Sequence, residues 1–182
     1  MKLSGVIGAG SRKVLHREGR AMSRTTPQSY YELFVVPNFE DYLRAPDDIR
    51  LGFNASVPAF QLAEVMHTFY RDEDSSKISQ WPELKDFYAH LRKLEPAFTT
   101  IQSVANAYKH LRLKKSHYVI GSPGALWGLT LPSDEFDLVS SWDDRSIGDV
   151  IVQCRDGKAV SLTDALAAVV EDLWPSVLPA EI

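Results

Sequence analysis

The dipeptide Glu95-Pro96 separates two apolar repeats and leaves almost no chain between them. In both repeats the apolar residues stand three and four positions apart, which is typical of an amphipathic helix. The first repeat, opening at Trp81-Pro82-Glu83, is Leu84, Phe87, Tyr88, Leu91 and Leu94, and the second is Ala97, Ile101, Val104, Tyr108 and Leu111. A residue before proline avoids the helical region, and proline suits the first turn of a helix. The sequence therefore predicts a tight hairpin of two antiparallel helices, the second over residues 98–115.

A longer helix is predicted before this hairpin, over residues 46–72. Its start is marked by Ala45-Pro46-Asp47-Asp48, because proline suits the first turn and aspartates complement the helix dipole. Its core-facing stripe is Ala55, Ala59, Leu62, Met66 and Phe69. Pro58 falls inside the helix and has no backbone N–H, so we expect the helix to kink or restart there.

The C-terminal third has the pattern of short strands followed by one helix. Residues 118–120, 126–129 and 150–154 have strand composition, and 159–161 is the returning strand of a hairpin. The Asp156-Gly157 pair between them predicts a type I′ turn. A last helix carries Leu162, Leu166, Val169, Val170 and Leu173 and is expected to end before Pro175.

These elements predict a mostly α fold, built as an antiparallel four-helix bundle with a small C-terminal β-hairpin before the last helix. The expected core consists of large apolar residues from all four helices. They are Leu62, Met66, Phe69, Leu84, Phe87, Leu91, Ile101, Tyr108, Leu166, Val169 and Leu173.

The length of 182 residues suits one domain. Residues 1–26 are rich in Arg and Lys and have no apolar periodicity, so we expect a basic, flexible N-terminal tail before a single domain over residues 27–182. Alternative explanations of this segment are a start of translation at Met22 and an Arg-rich, acid-poor transit peptide. The one cysteine, Cys154, excludes an intrachain disulfide and suits a reducing, cytoplasmic environment.

Several classes of function lack their sequence signals. No apolar run approaches the roughly 20 residues that span a bilayer, so no membrane partner is expected. The five histidines do not have a metal-ligand spacing, and no phosphate-binding loop or dinucleotide fingerprint is complete. We therefore expect no metal and no cofactor. The net charge of −4 gives no overall argument for nucleic acid.

A second stripe of the 46–72 helix is apolar early and ionisable late. Its late members are Glu64, His67 and Arg71, which share one face of the predicted helix. One interpretation is a binding surface, and the other is a solvated face with ordinary helical ion pairs.

Asn106 and His110 are also neighbours on a helix face, four positions apart. Lys109 and Arg112 lie beside them in a basic run. A phosphate-contacting patch would use such residues, but cations in a last turn also complement the helix dipole. Tyr108 belongs to the predicted core stripe, which makes it a poor candidate for stacking on a base.

The stretches Arg50-Leu-Gly-Phe-Asn-Ala, with the helix that follows it, and Val104-Ala-Asn-Ala-Tyr-Lys-His110 resemble proteins of the HEPN superfamily. These are small helical bundles of bacterial toxin, phage-defence and RNA-processing systems. The resemblance covers about residues 46–113. Catalytic members carry an arginine, a polar residue and, about three residues later, a histidine, and cleave RNA without a metal.

The resemblance implies roles for Asn106 and His110 as the polar and histidine positions of that motif, with Ala105 where the arginine is expected. It implies an interaction or RNA-binding module, with a bacterial defence or toxin–antitoxin context. Two alternatives remain, a divergent ribonuclease that uses His110 and a structural domain that dimerises. The implied partners are RNA, a second copy or another protein. In a HEPN-like bundle Glu64 and His67 would share a polar cleft with Asn106 and His110.

Overall fold

A helix of 25 residues, α2 (Ile49–Glu73), contacts every other helix in the described part of the chain. The computed structural model describes residues 25–110, 112–114, 118–130 and 148–178. Before α2, α1 joins Pro27–Tyr30, a π-helical turn Tyr31–Val35 and Val36–Leu43. After it come a 3₁₀ turn at Ser75–Ile78, α3 (Leu84–Leu94) and α4 (Ala97–Lys109).

A small sheet separates these helices from the last one. A 3₁₀ turn at Pro123–Ala125 precedes β1 (Leu126–Thr130), and β2 (Gly148–Gln153) and β3 (Ala159–Ser161) follow. The order is β1-β2-β3, and both pairings are antiparallel. The last helix, α5, joins Leu162–Ala167, a π-helical segment Ala168–Leu173 and Trp174–Val177. The prediction of a mostly helical fold with a β-hairpin before the last helix is therefore confirmed.

The start of α2 lies three residues after the predicted one. The Asp48 carboxylate accepts the backbone N–H groups of Arg50 and Leu51, at 2.8 and 3.3 Å, and so caps the helix. Pro46 lies in the turn before this cap. The helix runs without a break through Pro58, so it does not restart there.

The hairpin of α3 and α4 forms at Glu95-Pro96 as predicted. The Glu95 carboxylate accepts the backbone N–H of Ala97 at 2.9 Å, and its carbonyl accepts that of Phe98 at 3.0 Å. The predicted end of α4 at residue 115 is wrong. The helix ends at Lys109, and His110 has the extended backbone of a C-cap (φ −134°, ψ 126°).

The β2–β3 hairpin turns at Asp156-Gly157, but the predicted type I′ turn is wrong. Such a turn needs positive φ at both central residues, and among the described residues only Gly157 has it, with φ 87°. The N–H of Gly157 bonds the carbonyl of Cys154 at 3.0 Å. This pattern is typical of a turn closed by a left-handed glycine. Residues 118–120, predicted as a strand, are not in the sheet.

Most of the predicted core is buried. Leu62, Leu91, Ile101, Leu166 and Val169 have no solvent exposure, whereas Phe69 and Leu84 pack against the core partly exposed. Tyr108 is a wrong prediction, since its side chain is 59% exposed. The buried face of α4 includes Phe98 and Ala105, which rotates Tyr108 away from the interior.

Among the described residues, the largest side chains with no exposure are Trp174 and Tyr42, which the periodicity did not single out. The Trp174 indole N–H donates to the carbonyl of Ala59 on α2, at 3.0 Å.

Of the predicted tail, only Thr25 and Thr26 lie among the described residues. Thr26 forms a capping box with Ser29 at the start of α1. None of the helices in the described ranges combines the length and apolarity that crossing a lipid bilayer requires.

We expect Leu91→Ala to lower the free energy of unfolding by about 2–5 kcal/mol, because it leaves a cavity at a fully buried position. Tyr108→Ala, the control at an exposed position, should cost about 1 kcal/mol or less. Urea denaturation of both variants measures this. Equal losses would contradict the assignment of Tyr108 to the surface.

Candidate nucleic-acid interface

A groove of about 270 Å³ lies between α1, α2 and the end of α4. It combines aromatic rings with side-chain amides. Its lining residues are Tyr30, Phe34, Asn38, Asn54, Val57, Pro58, Gln61 and Tyr108. We call this surface the amide groove.

Tyr108 lies at one end of the amide groove because α4 runs antiparallel to α2. Its ring packs against that of Phe53, with 5.5 Å between centroids and 51° between planes. Farther along the pair, Phe60 of α2 meets Phe98 at the start of α4, at 5.9 Å. Phe53 therefore supports the ring of Tyr108, while more than half of that side chain stays open to solvent.

A second exposed ring lies across the amide groove on α1. Phe34 is 46% exposed and packs against Tyr30, with 5.0 Å between the centroids. The Tyr30 hydroxyl donates to the Gln61 amide oxygen at 3.1 Å. Burial, and then the charge of Glu64, raise the pKa of Tyr30, so this phenol remains a neutral donor.

The amide groups have hydrogen-bonding capacity left for a ligand. Asn38 donates from its amide nitrogen to the carbonyl of Phe34 at 2.7 Å, and its amide oxygen takes no bond from a described residue. Gln61 uses its oxygen for Tyr30, and its nitrogen bonds no described residue. Pro58 has no N–H to donate to the carbonyl four residues earlier, that of Asn54.

Exposed basic residues follow Tyr108 directly. Lys109, His110 and Arg112 are all exposed, and none forms an ion pair with a carboxylate in the described part of the chain. The chain here is held in place by Leu113, which is buried and bonds the carbonyl of Gly121 through its N–H at 2.8 Å. Arg112 thus extends from an anchored segment.

The predicted catalytic pair is not assembled by side-chain contact. The amide nitrogen of Asn106 donates to the carbonyl of Gln102, one turn earlier in the same helix, at 2.7 Å. His110 is exposed, and its backbone N–H closes α4 on the carbonyl of Asn106 at 3.0 Å. Ala105, at the arginine position of the resembled motif, is 2% exposed and faces the core.

The predicted cleft between this pair and the late α2 residues does not form. Tyr108 meets α2 at Phe53, whereas Glu64 and His67 lie about 16 and 21 Å farther along the helix axis, at 1.5 Å per residue. In the described residues no hydrogen bond or ion pair joins either of them to Asn106 or His110. The prediction assumed that the C-terminal half of the 46–72 helix meets the middle of the 98–115 helix, where Asn106 and His110 lie. The antiparallel packing instead places the N-terminal half of α2 beside Tyr108.

Each of the three late residues has surroundings of its own. His67 is buried, 4% exposed, and its Nε2 lies 2.9 Å from the carbonyl of Trp81. A carbonyl only accepts, so Nε2 carries the proton. Arg71 is exposed, and its Nε lies 3.5 Å from the carboxylate of Asp72. Glu64 is exposed on α2, three residues after Gln61. His67 is therefore a structural residue rather than part of a binding surface.

Sequence reasoning missed the part of the groove that α1 supplies. Phe34 and Asn38 belong to a segment without a clear apolar period, and Gln61 is one polar residue among many. The sequence signal that could have indicated the groove was Pro58. A proline inside a helix leaves the carbonyl four residues earlier, here that of Asn54, without its usual N–H donor.

No protein-family model matches this sequence, and comparison with curated proteins and with solved structures found no match. Among the described residues, no three His, Cys, Asp or Glu side chains are grouped to hold a metal ion.

We expect His67→Phe to lower the free energy of unfolding by about 1–3 kcal/mol, because the carbonyl of Trp81 loses its buried donor. His67→Gln restores an N–H and should recover part of the loss. The exposed control His110→Ala should stay within about 0.5 kcal/mol of the parent protein. Denaturant unfolding measures these free energies. A His67→Phe variant as stable as the parent protein would contradict the structural role of His67.

Proposed function

We propose that this protein is a HEPN-like RNA-binding module that holds single-stranded RNA along the amide groove and the basic end of α4. The observation that carries the proposal is the position of Tyr108. Its exposed ring lines the groove together with the amides, and the exposed cations Lys109 and Arg112 follow it in the chain.

Single-stranded RNA is bound by rings that stack on bases and by side chains that bond base edges. Tyr108 is held from one side by Phe53 and presents the rest of its surface to solvent. Asn38 and Gln61 provide an amide oxygen and an amide nitrogen within the same groove. A base stacked on Tyr108 would then have both a donor and an acceptor within the groove.

The backbone of such a strand would meet the cations that follow Tyr108. Lys109 and Arg112 are unpaired with any described carboxylate, so their charge is not neutralised within those ranges. The net charge of −4 opposes binding over the rest of the surface. Attraction is therefore local and falls with salt.

The HEPN-like part of the proposal rests on the resemblance of residues 46–113, and the arrangement of α2, α3 and α4 supports it. We propose that these helices and α5 correspond to the antiparallel four-helix bundle of that superfamily. A bacterial defence or toxin–antitoxin context belongs to the same proposal. The buried Ala105 supports binding over catalysis, because no cation for a phosphorane charge stands at that position.

The first test measures anisotropy of a labelled 12-nucleotide oligouridylate. Tyr108→Ala should weaken binding by about 1–3 kcal/mol, since one base loses its stacking partner. Tyr108→Phe is the matched control, because it keeps the ring and should keep most of the affinity. Binding that is unchanged in Tyr108→Ala would contradict the groove as the RNA site.

The second test is the salt dependence of the same binding. The double variant Lys109→Ala, Arg112→Ala removes two phosphate partners, so the slope of log K against log salt should fall in magnitude by about 1.4. The control pair Lys85→Ala, Lys93→Ala makes the same change of net charge on the exposed face of α3 and should leave the slope unchanged.

The same RNA, followed on a gel with a chelator present, distinguishes the alternatives. Intact RNA supports a binding module, while cleavage that His110→Ala abolishes would favour the ribonuclease. A protein that sediments as a dimer and binds no RNA would instead favour the structural alternative.

A further inference from the structure

A second cavity, of about 260 Å³, lies at the other end of α2 from Phe53. It shares no lining residue with the amide groove. Its walls are mostly apolar and aromatic, and include Tyr70, Ile78, Trp81 and Phe87. We call it the aromatic pocket.

The walls of the aromatic pocket are held in place before any ligand enters. The N–H of Trp81 bonds the carbonyl of Ile78 at 2.8 Å, and its carbonyl lies 2.9 Å from Nε2 of His67. The Trp81 ring packs against Phe87, at 5.3 Å between centroids, and against His90, at 4.4 Å. A pocket with fixed walls orders few side chains on binding, which favours affinity.

Lys77 is the charged side chain among the described residues that line the pocket. Lys77 extends its ammonium over the ring of Tyr70, 4.9 Å from the centroid, and His90 contributes an imidazole. No carboxylate is among the residues that line the pocket within the described ranges. Asp74 interacts electrostatically with Lys77, and one oxygen of its carboxylate accepts the N–H and hydroxyl of Ser76.

We infer that the aromatic pocket binds a small carboxylate that carries one aromatic ring, independently of any RNA on the amide groove. A cavity of about 150 Å³ lined by apolar side chains holds benzene, so about 260 Å³ holds a ring with a short arm. The ring packs between Trp81 and Tyr70. The carboxylate at the end of the arm meets the ammonium of Lys77 and an N–H of His90.

The test titrates the full chain with two probes of nearly equal shape, 3-phenylpropanoate and its neutral amide, 3-phenylpropanamide. Binding is followed by shifts in protein NMR spectra, with the indole N–H of Trp81 as reporter. The wild type should bind the carboxylate at one site and the amide about tenfold more weakly, because only the carboxylate pairs with Lys77.

Lys77→Met removes the ammonium and keeps the apolar stem, so the preference for the carboxylate should disappear. Lys85→Met is the control, since Lys85 is an exposed lysine that pairs with Glu83 outside the pocket. Val177→Phe adds a ring at a lining position of the pocket and should abolish binding of both probes while the other resonances keep their positions.

Three results would overturn the inference. They are the absence of shifts at the Trp81 indole with either probe, equal affinity of the two probes for the wild type, and an equal loss in Lys85→Met and Lys77→Met. None of them bears on RNA binding, because the two sites have separate linings.

Discussion

The indole of Trp174 joins the last helix to the middle of α2, and the packing of the helices depends on it. Its ring is fully buried, its N–H donates to the carbonyl of Ala59, and it meets the ring of Phe98 edge-on at 5.9 Å. One side chain thus links α5, α2 and α4. Trp buries a large apolar area but needs a partner for its N–H, so this contact specifies one arrangement of the three helices.

A second buried group attaches the sheet to the helices. The hydroxyl of Tyr42 lies 3.3 Å from the carboxylate of Asp149 and 3.2 Å from the hydroxyl of Thr163, and it accepts the N–H of Val150 at 3.4 Å. Burial raises the pKa of Tyr42 far above its usual range, so the phenol stays neutral within this network. α1, β2 and α5 are tied together at that point.

The backbone of β1 also lies close to the backbone of the turn that precedes α2. A Cβ on Gly128 would stand 2.5 Å from the carbonyl oxygen of Asp47, closer than real Cβ contacts, so only glycine fits there. This contact and the Tyr42 network hold the sheet near the N-terminal end of α2. The amide groove lies along the first half of the same helix and the aromatic pocket near its C-terminal end. Both candidate sites are therefore placed by the one long helix.

The sequence predicted correctly those features that depend on residues close together in the chain, such as the α3–α4 hairpin and most buried helix faces. Glu95-Pro96 between two amphipathic repeats specifies the α3–α4 hairpin, because proline stops one helix and starts the next. Periodicity identified most core residues, such as Leu62 and Leu91, since a buried helical face repeats every three to four positions. The same rule failed at Tyr108. Only part of the apolar stripe of α4 faces the core, and Tyr108 lies outside that part.

The sites depended on which faces of distant segments meet, and periodicity does not carry that information. The sequence by itself determined the presence of α2, α3, α4 and α5, the hairpin of α3 and α4, and the β-hairpin before α5. Only the tertiary structure decided that Tyr108 is exposed and that His67 is buried against Trp81. The reason is that helix packing sets the exposure of each face, and the direction of α4 against α2 places Asn106 and His110 away from Glu64.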